Sequence, residues 1–253
     1  MTRIKAYNND YRHLHDFIAN LPATFDSSGE VIYEDRNVVR RIKAPDGTML
    51  NVKRYRVPTG INRFVYSSGL RKPKGERAYR YPAQLLEAGI DTPTPIAYIE
   101  ERHFGILAYS WFVSLHCPYE HTLKEAGNAA EGTYESLARH FGRFTARLHE
   151  KNVMHLDYSP GNILFRVTEE GKHLFSLVDI NRMRFGQPVT MREGVANMRR
   201  LWGPKRFFTL MVEEYARARG EEPAKWVDYA LEVRANFWKK FGKKHTIHFK
   251  LEL

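Results

Sequence analysis

His155, Asp157 and Asn162 stand at the spacing H-x-D-x4-N, and an apolar run begins at Ile163. Further on, Asp179 closes a second apolar run in Leu177-Val178-Asp179-Ile180-Asn181. These residue types suit phosphoryl transfer from a magnesium nucleotide. Asp157 can accept the proton of an attacking hydroxyl, or at least orient that hydroxyl. Asn162 offers a neutral amide oxygen and Asp179 a charged one, both suited to a hard cation that bridges phosphates.

The intervening residues must bring these groups together. Pro160 and Gly161 permit a turn that points Asp157 and Asn162 toward one pocket. Ile163 to Val167 reads as a strand, residues 168–172 as a turn, and His173 to Ile180 as a returning strand. Such a hairpin returns Asp179 to the side of Asn162. An ordinary hairpin with a polar loop is the plain alternative, and it leaves the full constellation unexplained.

The stretch resembles the protein-kinase-like superfamily. Asp-Ile-Asn stands where protein kinases have Asp-Phe-Gly, and no Ala-Pro-Glu stretch follows. It is more similar to the lipopolysaccharide core kinase (Kdo/WaaP-type) family, on "HLDYSPGNIL" at 155–164 and "VDINR" at 178–182. Softer matches are the G-x-x-T-P-x-P link at 89–95 and an N-x-x-R-L pattern at 197–201, and the pieces span about residues 25–202. The resemblance implies an α+β, bilobal protein-kinase-like fold. Residues 1–113 would form a small antiparallel-sheet N-lobe and 114–253 a mostly helical C-lobe, together one kinase-like domain. It further implies ATP and Mg²⁺ as cofactors, Asp157 as the catalytic residue, Asn162 and Asp179 as metal ligands, and Lys53 on the nucleotide phosphates. A helix carboxylate should pair with Lys53; Glu76 is the candidate and Glu87 its rival.

Composition sets the bounds. In 253 residues, 43% are apolar and 13% aromatic, which describes a globular chain. The single Cys117 excludes an internal disulfide and fits a reducing compartment. The first residues lack the apolar core of a signal peptide, and the most apolar run, Phe104 to Val113, is too short to cross a bilayer. The expectation is a cytoplasmic protein, peripheral at most on the inner membrane face. A net charge of +11 favours anionic partners: a nucleotide, an anionic glycolipid or sugar acceptor, an anionic membrane and, least of these, nucleic acid.

Along the chain, Tyr11 to Asn20 reads as a short helix. Glu30 to Glu34, Asn37 to Lys43 and Met49 to Tyr55 read as strands, with turns at Ser27-Ser28-Gly29 and Pro45-Asp46-Gly47. The link Glu34-Asp35-Arg36-Asn37 has no glycine, so a phosphate-covering loop lies either there or at residues 27–29. Residues 61–81 are rich in Arg, Lys and aromatics, a docking patch for an acidic acceptor or simply a solvated face. A helix is expected from Lys74 to Ala88, with a break at Pro82. Ile96 to Glu100 and Gly105 to Phe112 read as strands, and residues 110–118 as the hinge. A helix over 133–149 carries Leu137, Phe141, Phe144 and Leu148 on one stripe. His149 at its end reads as a capping or surface histidine, and His155 as a residue that holds the loop by hydrogen bonds. Helices are expected over 195–202, over 207–219 and from Pro223 onward, with a cluster of lysines at 239–244.

The function expected is phosphoryl transfer from Mg-ATP to a sugar hydroxyl of lipopolysaccharide core or a related glycolipid. A small-molecule or RIO-like protein kinase is the second reading. A non-catalytic pseudokinase that binds anionic partners is the third, favoured only by the missing glycine loop.

Overall fold

The computed structural model describes residues 1–249 and 251–253 and, of Asn62, the backbone alone. The chain divides into two compact units. One holds residues 1–84 and 92–118, the other residues 85–91 and 119–253.

The first unit contains β1 (Thr2–Tyr7), α1 (His15–Thr24), β2 (Glu30–Glu34), β3 (Val38–Lys43), β4 (Met49–Tyr55), α2 (Ile61–Ser67), most of α3 (Lys74–Glu87), β5 (Pro95–His103) and β6 (Ile106–Leu115). The strands form one antiparallel sheet in the order β1-β5-β6-β4-β3-β2. Apolar residues two apart explain the layering. Leu50 and Val52 on β4 and Trp111 and Val113 on β6 meet Ile18 and Leu21 of α1, so α1 covers one face of the sheet. Each such side chain contributes roughly 1.5–3 kcal/mol on burial.

The opposite face carries Lys53 and Tyr55, because side chains alternate along a strand. The start of α3 packs there: a Cβ on Gly75 would come 2.6 Å from the Tyr98 ring and 3.3 Å from that of Tyr55. Glycine thus lets the helix approach the face that bears the strand lysine. The helix does not break at Pro82. Gly75, Ala78, Pro82 and Leu85 form its buried stripe, and that packing outweighs the hydrogen bond lost at proline. Nor does a helix begin at Tyr11; a 3-10 turn over Asn9–Leu14, opened by an Asn8 side-chain cap, precedes α1. The N-terminal strand β1 was not foreseen in the sequence.

The second unit contains β7 (His121–Thr122), α4 (Glu135–Glu150), β8 (Val153–His155), β9 (Ile163–Val167), β10 (His173–Leu177), β11 (Met183–Phe185), α5 (Met191–Asn197), α6 (Lys205–Ala218) and α7 (Pro223–Gly242). Phe141 and Leu148 of α4 and Phe207, Met211 and Tyr215 of α6 are fully buried in this helical core. β10-β9-β7 form one small sheet and β11-β8 another, both antiparallel. Pro223 opens α7 at its first turn, as expected. The helix expected over 195–202 instead begins at Met191, set by a capping box in which Thr190 and Glu193 satisfy each other's backbone N–H groups at 3.1–3.2 Å. Among the described residues no helix is long and apolar enough to cross a membrane.

Candidate active site

The chain between β8 and β9 is held both by bonds within the loop and by bonds from neighbouring segments, among them the Tyr158 hydroxyl to Thr145 at 2.8 Å. Leu156 N–H donates to the Arg182 carbonyl at 2.9 Å, continuing the β8–β11 pairing. Ser159 N–H donates to the Asp157 carbonyl and Asn162 N–H to the Ser159 carbonyl, each at 2.9 Å, and Pro160–Asn162 closes as a 3-10 turn. His155 anchors the loop, as expected. Its ring is fully buried; Nδ1 accepts from Asp157 N–H at 3.1 Å and Nε2 donates to the Val178 carbonyl at 3.2 Å. An amide only donates there and a carbonyl only accepts, so the imidazole is the neutral Nε2–H tautomer. Burial pushes its pKa down, against smaller opposing effects from the Val178 hydrogen bond and nearby Asp179 and Asp157.

The hairpin brings the expected metal ligands together. The β9–β10 pairing runs from Ile163 opposite Leu177 to Val167 opposite His173, and Val178 N–H donates to the Asn162 carbonyl at 3.0 Å. Asp179 is therefore one residue beyond a direct bond to Asn162. Asn162 donates its amide N–H to the Asp157 carbonyl at 2.9 Å, which leaves Oδ1 as an acceptor. Asp179 adopts φ +52°, and the Asn181 amide donates to its Oδ1. The strand expected to reach Ile180 ends at Leu177, because this left-handed residue leaves the ladder.

Asp157 lies between two arginines. Arg200 Nη1 donates to Oδ1, and Arg182 Nη1 stands 3.9 Å from Oδ2. Arg200 comes from the 3-10 turn Met198–Arg200 that follows α5.

A buried relay fixes that turn against the loop. The amide of Asn197 donates to the His155 carbonyl at 3.1 Å, while its Oδ1 accepts from His149 Nε2 at 3.3 Å. His149 Nδ1 in turn accepts from the Tyr215 hydroxyl at 3.0 Å. His149 is thus no surface histidine: it is 1% exposed, and burial holds its pKa down at about 4. Asn197 and Arg200 were read only as positions of a helix pattern, with no role at the site, and Tyr215 was not singled out in the sequence. The available signal was Asn197 set among the apolar positions Val195, Met198 and Leu201, since an amide buried at such a place demands partners.

In the first unit, Lys53 lies opposite Val39 and Phe112, with Nζ 5.3 Å from the centre of the Tyr55 ring. Glu76 lies in the first turn of α3 and bonds Arg80 at 2.8 Å. Its charge also reaches Tyr98, whose hydroxyl donates to buried Glu100 at 2.7 Å. Glu87 is exposed at the end of α3. Of the two candidate phosphate loops, residues 27–29 are committed to structure: Arg40 bonds the Ser28 carbonyl at 2.9 Å, and a Cβ on Gly29, at φ +61°, would collide with the Arg41 carbonyl. In the 34–37 link, Glu34, Asp35 and Arg36 are exposed, while Asn37 Oδ1 accepts from Arg56 N–H at 3.2 Å.

The lipopolysaccharide kinase (Kdo/WaaP) family profile matches residues 30–210. The chain belongs to this family. It is accordingly a kinase, a phosphotransferase acting on lipopolysaccharide core. Among solved structures, WaaP in complex with acyl carrier protein is similar over 95% of this chain and 98% of that one, with a TM-score of 0.57 and 17% identity. The Rio2 kinase–ADP/Mg²⁺–phosphoaspartate complex from Chaetomium thermophilum is similar over 93% of this chain and 76% of that one, with a TM-score of 0.49 and 16% identity. No curated protein matches by sequence. The WaaP likeness, at this identity, speaks for the α+β kinase-like fold.

Proposed function

We propose that the chain transfers the γ-phosphoryl group of ATP to a sugar hydroxyl of lipopolysaccharide core, with Asp157, Asn162, Asp179 and Lys53 as the working residues. The observation that carries this reading is the coupling of Asn162 to both partners: its amide bonds the Asp157 carbonyl, and its own carbonyl bonds the residue before Asp179.

Asp157 orients the acceptor hydroxyl and takes its proton as the oxygen attacks the γ-phosphorus. The bond from that phosphorus to the bridging oxygen breaks, and ADP leaves. Asn162 Oδ1 and the Asp179 carboxylate suit Mg²⁺, which is ordinarily held by one or two such ligands together with the substrate's phosphates. Bound there, the cation would offset charge on the phosphates. Lys53 neutralises phosphate charge, and Glu76 is the helix carboxylate assigned to it. The nucleotide-binding sheet and the helix that bears Glu76 are assigned to residues 1–113, and the catalytic loop and helices to residues 114–253. Catalysis is then chiefly positioning and charge stabilisation.

The net charge of +11 supports an acceptor that bears anionic groups, reached by peripheral contact with an anionic cytoplasmic membrane face. The WaaP structure was solved with acyl carrier protein. We extend that to a protein partner of the same kind here, to be sought by copurification.

The test uses purified protein, γ-labelled ATP, Mg²⁺ and lipopolysaccharide core fragments, beside an Asp157→Ala control. Label on the glycolipid that disappears in the variant is expected. Label on protein alone would move the assignment to a RIO-like kinase, and failure to bind ATP would end the enzymatic reading.

A further inference from the structure

The backbone of Asp157 is already fully bonded: its N–H goes to His155, and its carbonyl accepts from Ser159 N–H and the Asn162 amide. The loop therefore needs no further tie to hold its path. What remains undetermined by those bonds is the side chain, two torsions that decide where the carboxylate oxygens point. Arg200 supplies that restraint by donating to Oδ1. Oδ2 has Arg182 at 3.9 Å, beyond hydrogen-bonding distance, so this oxygen stays available to a hydroxyl.

Arg200 is itself built into the second unit. Asn197, three residues earlier, bonds the His155 carbonyl, so the turn that carries Arg200 and the strand that leads to Asp157 are tied to each other. On the other side, fully buried Arg234 of α7 donates to the Leu201 carbonyl at 3.0 Å and the Gly203 carbonyl at 2.9 Å. The Arg200 guanidinium lies 6.0 Å from the centre of the Phe237 ring, which restricts its swing. A surface ion pair with free side chains would show none of these supports.

We infer that Arg200 is a positioning residue for the phosphoryl transfer assigned to this site: it holds Asp157 by Oδ1 and so turns Oδ2 to the acceptor hydroxyl. The inference rests on the role proposed for Asp157. Arg200 does not touch the reacting atoms; it acts through the carboxylate by a single charge-assisted hydrogen bond to Oδ1, whose direction a planar guanidinium fixes better than a lysine ammonium on a flexible stem.

The experiment compares full-length wild type, Arg200→Gln, Arg200→Lys, Asp157→Ala and the Asp157→Ala/Arg200→Gln double variant. It measures kcat, KM for ATP, the melting temperature and the shift produced by Mg-ATP. Arg200→Gln should lower kcat by about 10- to 100-fold, while KM for ATP and the Mg-ATP shift stay near wild type. Arg200→Lys should recover part of the rate. Added to Asp157→Ala, the Gln substitution should cost nothing more, because its path to the chemistry is already gone. Unchanged kcat in Arg200→Gln overturns the inference. So does a further loss in the double variant, or a kcat loss matched by lost folding or lost ATP binding. Wild-type protein without Asp157-dependent transfer would instead overturn the assignment of the site, and this inference with it.

Discussion

Asp179 holds a left-handed backbone, a conformation that costs a non-glycine residue about 1–2 kcal/mol and that Asp and Asn tolerate best. Asp179→Asn keeps that tolerance and removes the charge. The variant should melt close to wild type without nucleotide and should lose the stabilisation given by Mg-ATP; a retained shift would remove Asp179 from the proposed metal site. A second outcome follows from Asn197. Truncation to Ala leaves the His155 carbonyl and the His149 ring N–H buried without partners, each a group that is costly to bury unbonded. Urea unfolding should show a loss of about 2–6 kcal/mol, about 1–3 for each of the two groups. A loss well below that would mean that water or a shifted side chain replaces the bonds.

At the level of elements, α5 approaches α6 only because position 194 is glycine. A Cβ there would collide with the Tyr215 hydroxyl and lie 2.9 Å from His149 Nδ1. Gly194→Ala should destabilise by about 1–3 kcal/mol, the usual cost of overpacking. Tyr215→Phe removes the colliding oxygen, so the pair should lose less than the sum of the single changes, read in a denaturant double-mutant cycle. Strict additivity would show that the helix shifts instead. The same elements explain what was legible beforehand. The β9–β10 hairpin and the residues it joins could be read because turn, period and chemistry coincide within one short stretch. The ends of α5 were missed although Thr190 and Glu193 spell a capping box, because its apolar spacing continues into a 3-10 turn. Pro82 misled in the other direction: a local rule predicted a break, and burial of the whole stripe overrode it. Arg200 stood in a legible helix pattern, but its role was not legible, because its partner is Asp157 and only the tertiary fold makes that pair.

For the molecule as a whole, buried neutral histidines set an acid limit. The unfolded chain takes a proton on His149 near pH 6.5, whereas burial holds the folded group at about 4. A lowered folded pKa means that the contribution is complete above about pH 6.5 and declines as pH falls through the interval to 4. The slope has a ceiling of about 1.4 kcal/mol per pH unit for such a group. His155 is shifted in the same direction and adds to the decline. Denaturant unfolding across this range should therefore show a steep loss of stability. His149→Gln should flatten it; an unchanged slope would assign the acid sensitivity to other groups.

The N-terminal strand has a consequence for how the protein is made. β1 pairs with β5, placing Thr2 opposite Glu101. A ribosome that adds residues in order delivers β1 first, yet must synthesise about a hundred more residues before its neighbour exists, several seconds or longer at about 5–20 residues per second. The central strands β5 and β6 are the last of this sheet to emerge, so β2, β3 and β4 also wait for the strand that joins them to β1. Nascent chains stalled before Leu115 clears the exit tunnel should remain sensitive to protease throughout this region, and protection should appear in a single step once β6 is out. Synthesis timing, and with it exposure to chaperones, is thus written into the strand order of the sheet.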